Sequence, residues 1–174
     1  MVHYRRACVP GGTFFFTVAL NDRKANTLVA NVAALRKVLD EVRSTRPFHI
    51  NAMVVLPEHL HAIWTLPEGD ADYSARWRSV KAGFVIALRR EGFASRPNMK
   101  GEHAVWQRRF WEHQIRNDDD MARHVDYVHI NPVKHGLVKR VSDWRWSTFH
   151  RYVREGILPS DWAADSDIPG EFGE

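Results

Sequence analysis

The hydrophobic and polar positions alternate between two periods along the chain. Residues 13–20, through Phe14-Phe15-Phe16, form an apolar run behind the Pro10-Gly11-Gly12 turn and predict a first strand. Leu28, Val32, Leu35, Val38, Leu39 and Val42 then recur at helical spacing, which predicts an amphipathic helix over 23–44. Strands follow over 48–56 and 59–66, joined tightly through Pro57-Glu58. Trp77, Val80, Phe84, Ala87 and Leu88 mark the buried side of a second helix, with Asp72 or Ser74 as its cap. Residues 92–101 read as loop and 104–115 as extended chain broken near Arg108-Arg109. A third helix opens at Asn117 and is ending at Asn131, because proline disfavours helical geometry in the residue before it, with Gly136 a natural terminator.

The order strand, helix, strand, strand, helix, strand, helix predicts an α+β fold. Its architecture is a split β-α-β (ferredoxin-like) sandwich, an antiparallel sheet with helices mainly on one face. Residues 1–142 form the domain. Residues 143–174 are a C-terminal helical extension, with Trp144, Trp146, Phe149 and Tyr152, and an acidic tail after Asp161, all part of the same unit.

Composition narrows the classes. The 174 residues suffice for one core, and 44% are hydrophobic. No apolar run reaches membrane-spanning length and the start lacks a signal peptide's layout, so a cytoplasmic protein is expected. Cys8 is the single cysteine, which excludes internal disulfides and cysteine-rich zinc sites. Net charge is +4, and the distribution matters more than the total. Basic residues from Arg76 to Arg116 interleave with Trp77, Phe84, Trp106, Phe110 and Trp111, a pattern that suits phosphates and unpaired bases. Asp118-Asp119-Asp120 complement the dipole of the helix they open. Pointing three ways, they make a poor metal triad.

Two stretches carry candidate chemistry. In a strand, residues two apart share a face, so His59 and His61 present adjacent imidazoles able to share a cation. Tyr127 and Asn131, one helical turn apart, also share a face. Brought together, two imidazoles and a carboxamide would hold one divalent cation, and the phenol, activated by cation and basic surroundings, could attack a phosphodiester. Kept apart, they are hydrogen-bonded strand histidines, a core tyrosine and a local cap.

Four ordered motifs connect these residues: Tyr4-Arg5-Arg6 with Pro10-Gly11-Gly12-Thr13-Phe14-Phe15-Phe16-Thr17; Val55-Leu56-Pro57-Glu58-His59-Leu60-His61; Trp106-Gln107-Arg108-Arg109-Phe110-Trp111; and Tyr127-Val128-His129-Ile130-Asn131-Pro132-Val133-Lys134-His135-Gly136. From about residue 4 to about residue 155 the chain resembles the single-tyrosine HUH transposases, and within them the REP-associated tyrosine transposases of bacteria. The resemblance implies an enzyme that nicks and rejoins single-stranded DNA beside REP-type hairpins through a 5′-phosphotyrosine, with Mg or Mn and without ATP. It implies Tyr127 as nucleophile and His59, His61 and Asn131 as metal ligands; better-known members carry glutamine at the last place. A monomer is favoured over a helix-swapped homodimer, and a nucleoid-associated location follows.

Expected DNA contacts are Arg5, Arg6, Arg76, Arg78, Lys81, Arg96, Lys100, Arg108, Arg109 and Lys134, with the 92–101 loop on the hairpin or adjoining bases. A phosphoesterase with paired His-x-Thr/Ser motifs is excluded, because no such motif occurs. The alternative is a non-catalytic hairpin-binding protein of the same fold, gripping DNA or RNA through sheet aromatics such as Phe14, Phe15, Phe16 and Trp64.

Overall fold

The computed structural model describes residues 7–94 and 104–163. Four strands, β1 (Thr13–Ala19), β2 (His49–Val55), β3 (His59–Thr65) and β4 (Trp111–Gln114), form one antiparallel sheet in the order β2-β3-β1-β4. The helices are α1 (Thr27–Ala30), α2 (Val32–Thr45), α3 (Tyr73–Arg90), α4 (Asp118–Lys134) and α5 (Phe149–Arg154), with a single 3₁₀ turn at Val141–Asp143.

The expected first helix is two pieces. Asn31 interrupts it with a non-helical backbone, and its side-chain amide joins its own backbone N–H in donating to the Thr27 carbonyl. Asp72 caps α3 by accepting from Ala75 N, and Asn117 caps α4 by accepting from Asp120 N. Contrary to the sequence expectation, α4 runs through Asn131 and Pro132 to Lys134. It stops at His135, where Gly136 takes a φ of +66°.

The strand period sorts the sheet into two faces. Phe14, Phe16, Val18, Leu60, Ala62 and Trp64 point toward α2 and α3, and with Tyr73, Trp77 and Phe84 they build the main core. There Trp64 stacks on Trp77 with centroids 4.0 Å apart. Gly83 lets α2 and α3 close, since a Cβ there would lie 2.8 Å from Val38 Cγ1. Phe15, Ala52, Val54 and Ile63 point the other way, onto Val125, Tyr127 and Val128 of α4. The aromatic platform of the binding-only alternative is therefore absent: Phe14, Phe16 and Trp64 are fully buried under helices and Phe15 nearly so.

Residues 144–148 cover the free edge of β2. Val55 N donates to Trp146 O, Thr148 N donates to Met53 O, and Trp144 Nε1 donates to Val55 O. His129 of α4 reaches the same segment through Nε2 and Thr148 Oγ1, 3.0 Å apart. The C-terminal extension thereby wedges α4 against the sheet.

Candidate active site

The register places the two histidines. His61 pairs with Thr17 on one side and Val54 on the other, and His59 pairs with Ala19, so both rings emerge on the face that α4 covers. Their centroids are 4.9 Å apart. His59 Nδ1 lies 2.8 Å from Glu58 Oε1 and, facing a carboxylate, carries the proton. His61 Nδ1 lies 2.9 Å from Thr17 Oγ1. A proton on Nδ1 of each ring, donated to Glu58 and to the Thr17 hydroxyl, would leave both Nε2 atoms a lone pair, the arrangement found behind metal-ligating histidines.

From the opposite side, α4 brings Tyr127, whose ring centroid is 5.2 Å from that of His61. The Lys134 ammonium sits 4.9 Å above the phenol ring. Asn131, one turn beyond Tyr127, is completely buried, and neither its Oδ1 nor its Nδ2 has a hydrogen-bond partner among the described residues. His61 Nε2 is likewise buried and unpartnered. Buried orphans of this kind cost about 1–3 kcal/mol each, so a native fold keeps them where something else satisfies them. An imidazole nitrogen and a carboxamide oxygen left open in this way fit a divalent cation.

Electrostatics agree. Burial pushes His59 below its ordinary range, outweighing the opposing pull of Glu58. Burial pushes His61 down further, with His59, His135 and Lys134 adding to it. Both rings are therefore neutral at neutral pH, the form that binds a metal.

Sequence reasoning passed over three participants. Glu58 and Thr17 orient the two imidazoles, and His135 brings its ring centroid to 5.1 Å from His59. The Glu58-His59 neighbourhood was a readable signal. The pairing of Thr17 with His61 needed the sheet register.

The expected DNA contacts divide. Arg78, Arg108, Arg109 and Lys134 are exposed. Arg78, Lys81, Arg89 and Arg108 line a groove of about 790 Å³ with Trp77 and Trp106. Within it Lys81 donates to Gln107 O at 2.9 Å and covers the Phe110 ring. Arg76 is a correction. It is 2% exposed, pairs with Asp70 at 2.7 Å and donates to the carbonyls of Arg46, Pro47 and Asp72. Its guanidinium ties α3 to the end of α2, with no face left for DNA. Arg5, Arg6, Arg96, Lys100, most of the 92–101 loop and the tail from 164 lie outside the described residues.

No family model matches the chain. It is 53% identical over 165 residues to the REP-associated tyrosine transposase of Escherichia coli, covering 95% of this chain and 93% of the relative. It is 41% identical over 170 residues to a Haemophilus influenzae protein assigned provisionally to the same group, covering 97% of each. Among solved structures, a REP-associated tyrosine transposase bound to a REP hairpin superposes with a TM-score of 0.85 at 51% identity, covering 98% of this chain and 95% of that one. A Deinococcus radiodurans structure, 12% identical with a TM-score of 0.51 over 73% of this chain and 95% of that one, shares the fold. The chain belongs to the REP-associated tyrosine transposases, a family of DNA-processing enzymes.

Proposed function

We propose that this protein cuts and rejoins single-stranded DNA next to a REP-type hairpin, using Tyr127 as the nucleophile. The observation that carries the proposal is the meeting, within one chain, of the Tyr127 phenol ring and the His61 imidazole, whose buried Nε2 nothing among the described residues satisfies. His59, His61 and Asn131 would hold the cation, Mg or Mn. When bound, the cation polarises the scissile phosphodiester and stabilises charge on its oxygens.

The phenol oxygen attacks phosphorus as the bond to the 3′ oxygen breaks. The phenol loses its proton and the departing oxygen gains one, which leaves a 5′-phosphotyrosine and a free 3′ hydroxyl. Attack by a 3′ hydroxyl on the phosphotyrosine runs the same steps backward and needs no nucleotide energy source. A free phenol titrates near 10, and the Lys134 ammonium lies 4.9 Å from the centre of the Tyr127 ring, beside the place where charge develops. Because Tyr127 meets His61 of its own chain, a monomer suffices. Arg78, Arg108, Arg109 and Lys134 would take phosphates and base edges of the strand and hairpin, and the work would be done on DNA of the nucleoid.

Tyr127 is 4% exposed, so little of its side chain is open to DNA. That burial favours a second reading, a protein that grips the hairpin without cutting it. The deciding experiment is incubation with a hairpin-bearing single strand and Mn, followed by denaturing electrophoresis. The wild type should yield a protein–DNA adduct, whereas Tyr127→Phe should bind the hairpin equally and yield none. Cutting that survives Tyr127→Phe would overturn the nucleophile, and intact binding with no cutting by the wild type would favour the second reading.

A further inference from the structure

Near the start of α4, on the same sheet face, a second set of ligating side chains converges. Asp120 and His124 stand one turn apart on α4, and the pairing of Phe15 with His113 turns the His113 ring of β4 toward them. One ligand atom from each of the three lies within 4.8 Å of the other two. His113 Nε2 is 3.0 Å from Asp120 Oδ2, and His124 Nδ1 is 3.2 Å from Asp120 Oδ1. The two imidazoles stack with centroids 4.6 Å apart and planes 12° from parallel. Asp120 and His124 are buried, while the His113 side chain keeps 28% of its exposure and leaves a way in from solvent.

We propose that His113, Asp120 and His124 form a second divalent-cation site, of the zinc or cobalt type, that fastens the first turns of α4 to the edge strand β4. Two imidazole nitrogens and one carboxylate oxygen suit a borderline-soft ion and disfavour magnesium, which prefers oxygen donors. Tetrahedral bonds of about 2.0–2.2 Å set ligand atoms roughly 3.3–3.6 Å apart; the separations present, 3.0 and 3.2 Å, run to different oxygens of Asp120, so the carboxylate turns one oxygen between the two rings on binding. To ligate, His124 exchanges its hydrogen bond with the Asp120 carbonyl, 2.8 Å from Nδ1, for the ion and carries its proton on Nε2, while His113 exchanges its Nε2 hydrogen bond to Asp120 for the ion and carries its proton on Nδ1. The Arg116 amide donates to Asp120 Oδ2 at 3.0 Å and fixes the carboxylate from behind.

Protonation favours the same outcome. Burial lowers His124 and keeps it neutral at neutral pH. Burial alone would raise Asp120, but hydrogen bonds from His113 and the Arg116 amide outweigh it and keep the carboxyl ionised. The consequence reaches the first site. The Phe15 ring stands 5.0 Å from His124, 5.4 Å from His61 and 5.8 Å from Tyr127, so an ion here would fix the helix that presents the phenol.

The inference is independent of the nucleophile assignment, and its test removes the first site. Full-length protein carrying His59→Ala and His61→Ala, stripped with chelator, is titrated with zinc by equilibrium dialysis and with cobalt by visible absorption. It should still take up one equivalent, with a cobalt band of nitrogen and oxygen ligation and a melting temperature raised by zinc. Adding His113→Ala, a half-exposed edge position, or the near-isosteric Asp120→Asn should weaken zinc at least about tenfold and abolish the rise, with circular dichroism unchanged. The proposal is overturned if the first variant takes up no zinc, or if its zinc is indifferent to both added substitutions.

Discussion

The two faces of the sheet are packed on opposite principles. Toward α2 and α3, aromatic and aliphatic side chains fill the space, with Trp64 stacked on Trp77 and Phe16 against both. Toward α4, the layer includes His59, His61, His124, His129, Tyr127 and Asn131, all buried, several with polar atoms left unsatisfied. The first face leaves the indole N–H groups of Trp64, Trp77 and Trp106 without partners among the described residues, whereas the second leaves ring nitrogens of His61 and His129 and both amide atoms of Asn131. One face holds the fold, and the other gives up stability to keep ligating groups open.

That contrast can be broken in order of effect. Tyr127→Phe removes one oxygen and should reduce DNA cutting by roughly 10⁴-fold or more, measured as adduct per folded protein. Trp64→Ala on the other face should do the converse. It should cost about 3–5 kcal/mol in denaturant unfolding, and the molecules that remain folded should cut normally.

Acid should affect the histidine face. Burial, with Arg151 and His150 nearby, holds His129 at about 4, below its ordinary 6.5. The unfolded chain therefore takes up this proton first, so stability is full above about pH 6.5 and is lost as pH falls toward 4. His129 alone accounts for about 3 kcal/mol of that loss, and His59, His61 and His124 shift in the same direction. Urea midpoints between about pH 7 and about pH 4 measure the effect.

Asn131→Leu sharpens the comparison most. With no metal present it should stabilise the protein by about 1–3 kcal/mol, because it removes two orphaned polar atoms, and it should abolish metal-dependent cutting. The smallest effect concerns the groove: Arg78→Ala or Arg108→Ala should each lower the salt slope of DNA binding by about one, with little change in stability.

Much of this was legible in the chain itself. The strand pitch placed His59 and His61 side by side, helical spacing placed Tyr127 with Asn131, and Asp72 and Asn117 cap their helices as the pattern indicated. What escaped depended on partners far along the chain. Arg76 read as surface because its acceptors, the Arg46 and Pro47 carbonyls, sit on another element. Asp120 read as a dipole-complementing residue like Asp118 and Asp119, and only the β1–β4 register shows His113 beside it. The position of α4 on the second face was hidden for a related reason: its buried side carries histidine, tyrosine and asparagine in place of a clean apolar stripe.

The most direct measurement is mass spectrometry of the covalent protein–DNA adduct after proteolysis. The account predicts a nucleotide 5′-phosphate on the peptide containing Tyr127 and on no other. The same modification on a different residue, or cutting with no covalent protein–DNA species at all, would contradict it.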